Sequence, residues 1–507
     1  MIRWGVTAGA HDASLTVVKD DEILFAGHSE RYSGIKNDPW LSQGLVDNAL
    51  EYGHPDVVTW YENTLLKRIR QVWSGQYKTA FTKISPSRQL MDMGIVSRHM
   101  MGDDDYGMVD NALLNWSSHH ETHAAAGYYT GPYTDAAVLV IDSIGEFQTT
   151  SIWQGQGTNL TRRWSQSYPH SIGLWYSAMT QRIGLKPNED EYILMGWAAL
   201  GDPEKYRQKI YEDFFQPLQP GNPQVKFKHN LHRGCRWWAP ELNTVQDYAD
   251  IAASTQAVYE MVFKHLITET RRLVDSTNLV VMGGCALNCV ANSIAHEYYY
   301  GNVWIMPNPG DAGSSLGAIA SRRNQFIEWK GPYLGYNIPG AYPVKGLLHE
   351  LKTTRLVGVA NGRAEFGPRA LGNRSLFADP RGADVKDLVN TVKRRQEFRP
   401  FAPMVLAEHA DKYFDGATGP YMQYTSVCKR PDLFPAIAHL DNTSRVQTVT
   451  KKDHPGLHQL MTEWHAQTGC PIILNTSLNI KGKPMVNDEA DAAEWTKLYG
   501  VKVYTHD

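Results

Sequence analysis

Residues 117–146 read SSHHETHAAAGYYTGPYTDAAVLVIDSIGE. His119 and His123 stand four apart and are followed by small residues; the apolar run AAVLVID then ends on Asp142. On a helix, side chains at i and i+4 stack on one face. Two imidazoles so placed can hold one metal ion. The apolar run reads as a buried strand, and its terminal Asp142 can bring a carboxylate to the same ion. An ordinary helix with two surface histidines satisfies the same spacing. What separates the two readings is whether the rest of the chain supplies further ligands and a fold that gathers them.

At 507 residues the chain is long enough for two or three domains. Hydrophobic residues make up 42% and charged residues 20%, an ordinary globular balance. The net charge of -3 gives no whole-chain attraction to nucleic acid, but it is unevenly spread. From Lys345 onward the balance is +4, against -7 for the remainder, a weak bias toward phosphate ligands in the C-terminal part. Five scattered cysteines do not make a disulfide framework, and Cys285 with Cys289 lacks a second pair to close a zinc site. They read as reduced thiols. No secretory signal pattern opens the chain, and no run of about 18 apolar residues offers a membrane span. A cytoplasmic location without membrane attachment is expected.

In chain order, IRWGVTAG reads as a strand turning on Gly9, and SLTVV and EILFAGH as a hairpin joined by KDDE. Strand, glycine turn and hairpin is how the sugar kinase, Hsp70 and actin superfamily opens. His11 and Asp12 sit at that turn. Lys36 follows in a polar loop, either solvated or reaching an anion. Residues 40–115 read as mostly helical. Within them, 67–98 holds seven basic residues and one acid, interleaved with Trp73, Tyr77 and Phe81; KFKHNLHRGCRWW at 226–238 is similar. Basic charge with aromatics suits a nucleic-acid surface, and equally a solvated helix face over a core stripe. Gly173 is expected to open a helix, and residues 245–275 to form a long amphipathic one. Gly283-Gly284 ends a strand before a helix starting near Asn288, a turn where backbone N–H groups can face an anion. Asp311 lies between glycines before a small-residue helix, as a metal or phosphate-facing carboxylate or as a helix cap.

The Gly-, Pro- and Tyr-rich stretch 330–343 is taken as a domain boundary, dividing 1–335 from 344–507. Beyond it, Arg363, Arg369, Arg374, Arg381, Arg399 and Arg445 lie among turns, and PIILNTSLNIKGKPMV adds Asn475 and Ser477. Guanidinium forks held in such loops match phosphate oxygens in pairs, and an oxyanion site is expected there.

Together these stretches resemble the O-carbamoyltransferase family of antibiotic and nodulation-factor biosynthesis. HDAS (11–14), ERYSGIKND (30–38), HHETHAA (119–125), VIDSIGE (140–146), YPHSIGLWYS (168–177), GGCALNCVAN (283–292), PGDAGSSLGA (309–318), GRAEFGPRALGNRS (362–375), FRPFAPMVL (398–406), SRVQTV (444–449) and ILNTSLNIKGKPMV (473–486) follow the family order over most of the chain. The resemblance implies an α/β protein of two domains. The N-terminal one would be actin-like, of the duplicated ribonuclease H type, and the C-terminal one YrdC-like. It implies that carbamoyl phosphate and ATP, with Mg²⁺, give carbamoyladenylate and pyrophosphate in the C-terminal domain. The carbamoyl group would then pass to an acceptor hydroxyl at a metal site in the N-terminal domain. The ligands would be His119, His123, Asp142 and Asp311. Iron(II) is the ion implied, and the donor set also suits Mn or Zn.

Carbamoyl phosphate and ATP would fall on Arg369, Arg399, Arg445, Asn475 and Ser477, and the adenylate on Gly173, Gly284 and Asn288. His11 and Lys36 match positions near the transferred group. His11 is a candidate general base, and a turn-bonding structural role is its alternative. The acceptor is either a sugar or antibiotic hydroxyl or a 5-hydroxymethyl pyrimidine in DNA. Other readings of the same features are a tRNA threonylcarbamoyl transferase and a non-enzymatic nucleotide-gated module. The chain departs from the family at Glu121-Thr122, where many relatives read Leu-Ala, and at Ser143, where they carry Gly. Neither change touches a proposed ligand.

Overall fold

The computed structural model describes residues 1–81, 86–95, 113–299, 301–395 and 401–507. Strands β1 (Ile2–Thr7), β2 (Ser14–Lys19), β3 (Glu22–His28), β4 (Val57–Trp60) and β5 (Leu113–Trp116) form one sheet in the order β3-β2-β1-β4-β5. β1, β2 and β3 are antiparallel; β4 and β5 run parallel to β1. The same pattern then repeats. β6 (Asp135–Ile141), β7 (Gln148–Gln156), β8 (Asn159–Ser167), β9 (Leu279–Met282) and β10 (Val303–Trp304) give the order β10-β9-β6-β7-β8. Here β6, β7 and β8 are antiparallel, and β9 and β10 parallel to β6 and β9. Two such sheets in tandem are the duplicated ribonuclease H arrangement of the actin-like fold.

Strands β4 and β5 fall inside the stretch expected to be mostly helical. Each is four residues long, and a run that short carries no period by which to tell strand from helix. The other expected elements form where the sequence places them. The long helix is Val245–Leu273, started by a capping box between Thr244 and Asp247. The helix Ile172–Arg182 begins one residue before Gly173, and Asn288 caps Cys289–Tyr298.

The two halves meet through the helices that follow their last strands, His119–Thr130 and Ser314–Arg323. Gly317 is what allows the approach. A methyl group there would stand 1.9 Å from the carbonyl oxygen of Thr122. The ligand histidines thus come from the first half and are pressed against the segment that carries Asp311.

The C-terminal part contains β11 (Tyr333–Ile338), β12 (Leu356–Ala360), β13 (Gly362–Glu365), β14 (Arg374–Ala378), β15 (Ala402–Leu406), β16 (Phe414–Asp415), β17 (Ser426–Cys428), β18 (Thr443–Ser444), β19 (Gln447–Val449), β20 (Ile472–Ser477) and β21 (Val503–Tyr504). Six of them make a mixed sheet, β19-β15-β20-β14-β12-β21, and helices Val344–Thr353 and Pro455–Thr468 share a buried apolar cluster with it. It is an α/β unit with its own core. The stretch expected as the boundary contains a strand with contacts on both sides. β11 spans residue 335, pairs with β13, and at Gly335 packs toward the carbonyl of Ala26 in β3.

Three of the loop arginines expected to bind oxyanions hold this part together. Arg374 is fully buried and donates to the carbonyls of Tyr336, Asn361, Gly362, Asn373 and Asn487. Arg363 donates to Leu24 and Leu334. Arg381 is paired two-pronged with Asp379. The carbonyls that Arg374 and Arg363 satisfy include ones far away in sequence, so local spacing could not show that these two guanidinium groups are already engaged.

Gly317→Ala is expected to push the His119–Thr130 helix away from its partner and to lower stability by about 1–3 kcal/mol. Chemical denaturation measures this, and an unchanged midpoint would show that the two helices do not meet so closely.

Candidate functional site

The spacing of His119 and His123 places both on one face of a buried helix, where their Nε2 atoms lie 3.1 Å apart. Asp142 directly follows β6, and its Oδ2 is 3.0 Å from His119 Nε2. Asp311 opens the turn before the Ser314–Arg323 helix, with Oδ1 3.4 Å from His119 Nε2 and 3.3 Å from His123 Nε2. One ligand atom from each of the four lies within 4.8 Å of every other, and all four residues are buried. For a metal–ligand distance near 2.1 Å, donors stand about 3.0 Å apart at right angles and about 3.4 Å at tetrahedral angles. The spacing and the mixed imidazole–carboxylate donor set therefore fit one divalent ion.

The surroundings hold the donors in place. Gly284 N–H donates to Asp142 Oδ1 (3.1 Å), and Ser314 Oγ lies 3.2 Å from His123 Nδ1. Such outer contacts orient ligands. The sequence reading missed Glu146, whose carboxylate accepts the N–H of His119 (3.0 Å) and of Asn63 (2.7 Å). It ties the ligand helix to the strand-to-helix segment after β4. A lone glutamate after a Gly turn gives no sign of this, since both donors are backbone groups of other segments.

Electrostatics mark the site as unusual. Burial opposes charge on His119, yet the carboxylates of Asp311 and Asp142 outweigh it and raise its pKa well above 6.5. Burial likewise works against a charged Asp311, and His119 and His11 outweigh it and hold the carboxyl well below 3.8. The neighbouring His120 is pushed down to about 3 by burial and stays neutral against Ser151.

His11 joins this cluster. Its Nδ1 is 2.9 Å from Asp12 and its Nε2 3.7 Å from Asp311. Burial is outweighed by Asp311 and Asp12, and its pKa rises to about 9. Lys36 is paired close to its own position in the chain. Its ammonium is bonded to both oxygens of Glu30, at 2.9 and 2.8 Å, so the expected contact to an anion is already taken by a carboxylate. Gly173 packs against the backbone of Asp142 and Ser143, and a side chain there would stand 2.8 Å from Ser143. Asn288 exchanges hydrogen bonds with Gln256. Gly284 spends its N–H on Asp142.

A cavity of about 280 Å³ lies between the N- and C-terminal parts. Arg369 and Arg445 line one side of it, and Gln256, Glu260 and Cys289 the other. Among the described residues, Arg445 Nε is buried without a hydrogen-bond partner, as is Asn475 Oδ1. The amide of Asn475 donates to Ala370 and Gln447, and Ser477 accepts from Lys393. Arg399 lies outside the described residues. The cavity wall connects to the ligand cluster through Gln256, Asn288 and the Gly284 turn.

The chain matches the carbamoyltransferase N-terminus model over residues 3–320 and the carbamoyltransferase C-terminus model over 348–505. It belongs to the carbamoyltransferase family. This carbamoyltransferase is 32% identical to an uncharacterised Synechocystis protein over 96% of this chain and 93% of the relative. It is 27% identical to nodulation protein U of Rhizobium tropici, covering 96% and 92% of the two chains. It is 27% identical to nodulation protein NolNO of Sinorhizobium fredii, covering 95% and 76%. Among solved structures, HypF of T. kodakarensis is similar at 12% identity and a TM-score of 0.35, over 64% of this chain and 48% of that one. The fold assignment rests on the strand order above and not on that likeness. Among the described residues no helix is long and apolar enough to cross a membrane, and all five cysteines are free.

Because His119 must lose its proton to bind a metal, cation binding is expected to release protons and to tighten as pH rises above 6.5. Calorimetry in two buffers of different ionisation enthalpy measures the release. Asp311→Asn and His119→Ala are expected to lose the bound ion, and metal content equal to the parent protein would contradict the site.

Proposed function

We propose that the enzyme works in two linked steps, one in each of two units spanning about residues 1–335 and 344–507. In the C-terminal unit carbamoyl phosphate loses its phosphoryl group to water, giving carbamate and phosphate. A carbamate oxygen then displaces pyrophosphate from the α-phosphorus of ATP, forming carbamoyladenylate. The observation that carries this reading is the cavity joining Arg369 and Arg445 to the wall that leads to the His–Asp cluster. Both substrates are polyanions, and fixed guanidinium groups stabilise the charge that shifts between them. Asn475, Ser477 and Arg399 complete this site, and Mg²⁺ accompanies the ATP phosphates.

In the N-terminal unit the acceptor hydroxyl attacks the carbamoyl carbon, the bond to the adenylate oxygen breaks, and AMP leaves. His119, His123, Asp142 and Asp311 would hold a divalent ion, iron(II) or else Mn or Zn, which when bound would supply Lewis-acid polarisation of a carbonyl. Gly173, Gly284 and Asn288 flank the path of the adenylate. His11 Nε2 takes the hydroxyl proton. It stands 3.7 Å from Asp311, with its Nδ1 held by Asp12. Lys36 holds Glu30 and thereby shapes the loop beside His11. The acceptor is an alcohol, with a 5-hydroxymethyl pyrimidine in DNA and a sugar or antibiotic hydroxyl as the two candidate classes.

Single variants separate the steps. Arg445→Ala is expected to abolish carbamoyl-phosphate-dependent pyrophosphate release while metal content is unchanged. His119→Ala is expected to keep that release and lose transfer. His11→Asn is expected to slow transfer by about 10²–10⁴-fold. Mass spectrometry of candidate alcohols identifies the acceptor by replacement of H with CONH₂. Pyrophosphate release that requires threonine and bicarbonate in place of carbamoyl phosphate would overturn this reading in favour of a threonylcarbamoyl transferase.

A further inference from the structure

The two basic stretches of the sequence come together in space. Gln76 Nε2 and His232 Nε2 are 2.6 Å apart although 156 positions separate them, and the Arg233 guanidinium lies beside Gly75. The described segments 64–81 and 226–238 contain no carboxylate between them. Arg68, Arg233 and Arg236 are exposed and have no ion-pair partner among the described residues. The helix Thr64–Trp73 is inside out. Arg70 and Gln71 are buried, with Arg70 donating to the carbonyl of Glu146 and to Gln76. Leu65, Ile69 and Trp73 face solvent, and Trp73, Tyr77, Phe81 and Trp237 are 63%, 60%, 73% and 55% exposed. A helix in a globular protein turns its apolar face inward, and this one has a face that no described residue covers.

The surface is fixed to the ligand cluster. The Glu146 carboxylate that holds His119 also holds Asn63, the residue whose side chain caps the Thr64–Trp73 helix. Trp73 packs edge-on against Tyr168 at 5.6 Å and against Phe147 at 6.4 Å, and Tyr168 in turn meets His232 and Asn230.

We propose that these two segments form one binding surface for a single-stranded or locally unpaired polynucleotide, which presents the acceptor base to the cluster. The proposal rests on the reading of that cluster as the transfer site. The charge selects the partner. Unpaired arginines with no carboxylate among them attract a phosphate backbone, and exposed aromatic rings stack on bases of any sequence. Stacking needs free base faces, so the strand is single or the base is turned out of its duplex. A neutral sugar acceptor offers the arginines no phosphate.

The test uses the whole protein and a labelled oligothymidine, whose bases carry no hydroxyl group to accept a carbamoyl group. Fluorescence anisotropy is expected to show binding at about 50 mM salt that weakens steeply by about 200 mM. Arg233→Ala/Arg236→Ala is expected to flatten the salt slope by about 0.7 for each arginine removed. Trp73→Ala is expected to weaken binding about tenfold with the slope unchanged. Carbamoyl-phosphate-dependent pyrophosphate release, read in the same preparations, is expected to match the parent and shows that the variants fold. No binding at low salt, or the same slope in the arginine variant, overturns the proposal, whatever protein the face captures. Absence of pyrophosphate release in the parent protein instead overturns the proposed function and leaves the binding result to stand alone.

Discussion

Two carboxylates that cannot both stay charged without help sit at the centre of this protein. Asp142 and Asp311 are buried, and their ligand oxygens lie within 4.8 Å of one another. At an effective dielectric constant of about 20, like charges at that distance repel by about 3–4 kcal/mol, before the loss of hydration. His119 and His11 answer that charge with protons, and their pKa values rise while that of Asp311 falls. A divalent cation answers it better, because it replaces several protons with one fixed charge. The helix contact at Gly317, the Gly284 N–H and the Glu146 carboxylate all serve to keep the donors from relaxing away from one another.

The duplicated sheet explains how one chain gathers these groups. The first half contributes the histidines at the start of its last helix, and the second contributes Asp142 after its first strand and Asp311 before its last helix. Asp142 and Asp311 sit at chain turns, and the histidines on the first two turns of a helix. The C-terminal unit places its arginines across the cavity from the same half that carries Asp142. One cavity thus joins the wall carrying Arg369 and Arg445 to the elements that hold the His–Asp cluster.

The donor set was legible because spacing and turn chemistry are local. His119 and His123 are one helical turn apart, and Asp142 and Asp311 end or begin apolar elements. The tandem hairpins were legible for the same reason. What local pattern could not show was partnership over distance. Arg374 looks like an anion-binding arginine until the carbonyls of Tyr336 and Asn487 are seen around it. Lys36 looks free until Glu30 folds back on it. The strands at 57–60 and 113–116 are too short to carry a period, and Glu146 acts through backbone N–H groups that no side-chain motif records. The basic-aromatic stretches were visible singly, but their meeting depends on the fold.

The most direct measurement is X-ray absorption at the metal edge of the cation-loaded carbamoyltransferase. Two imidazoles with oxygen donors at about 2.0–2.2 Å, and no sulfur, is the result this account predicts. A first shell with no imidazole scattering, or one containing thiolate sulfur at about 2.3 Å, would contradict it.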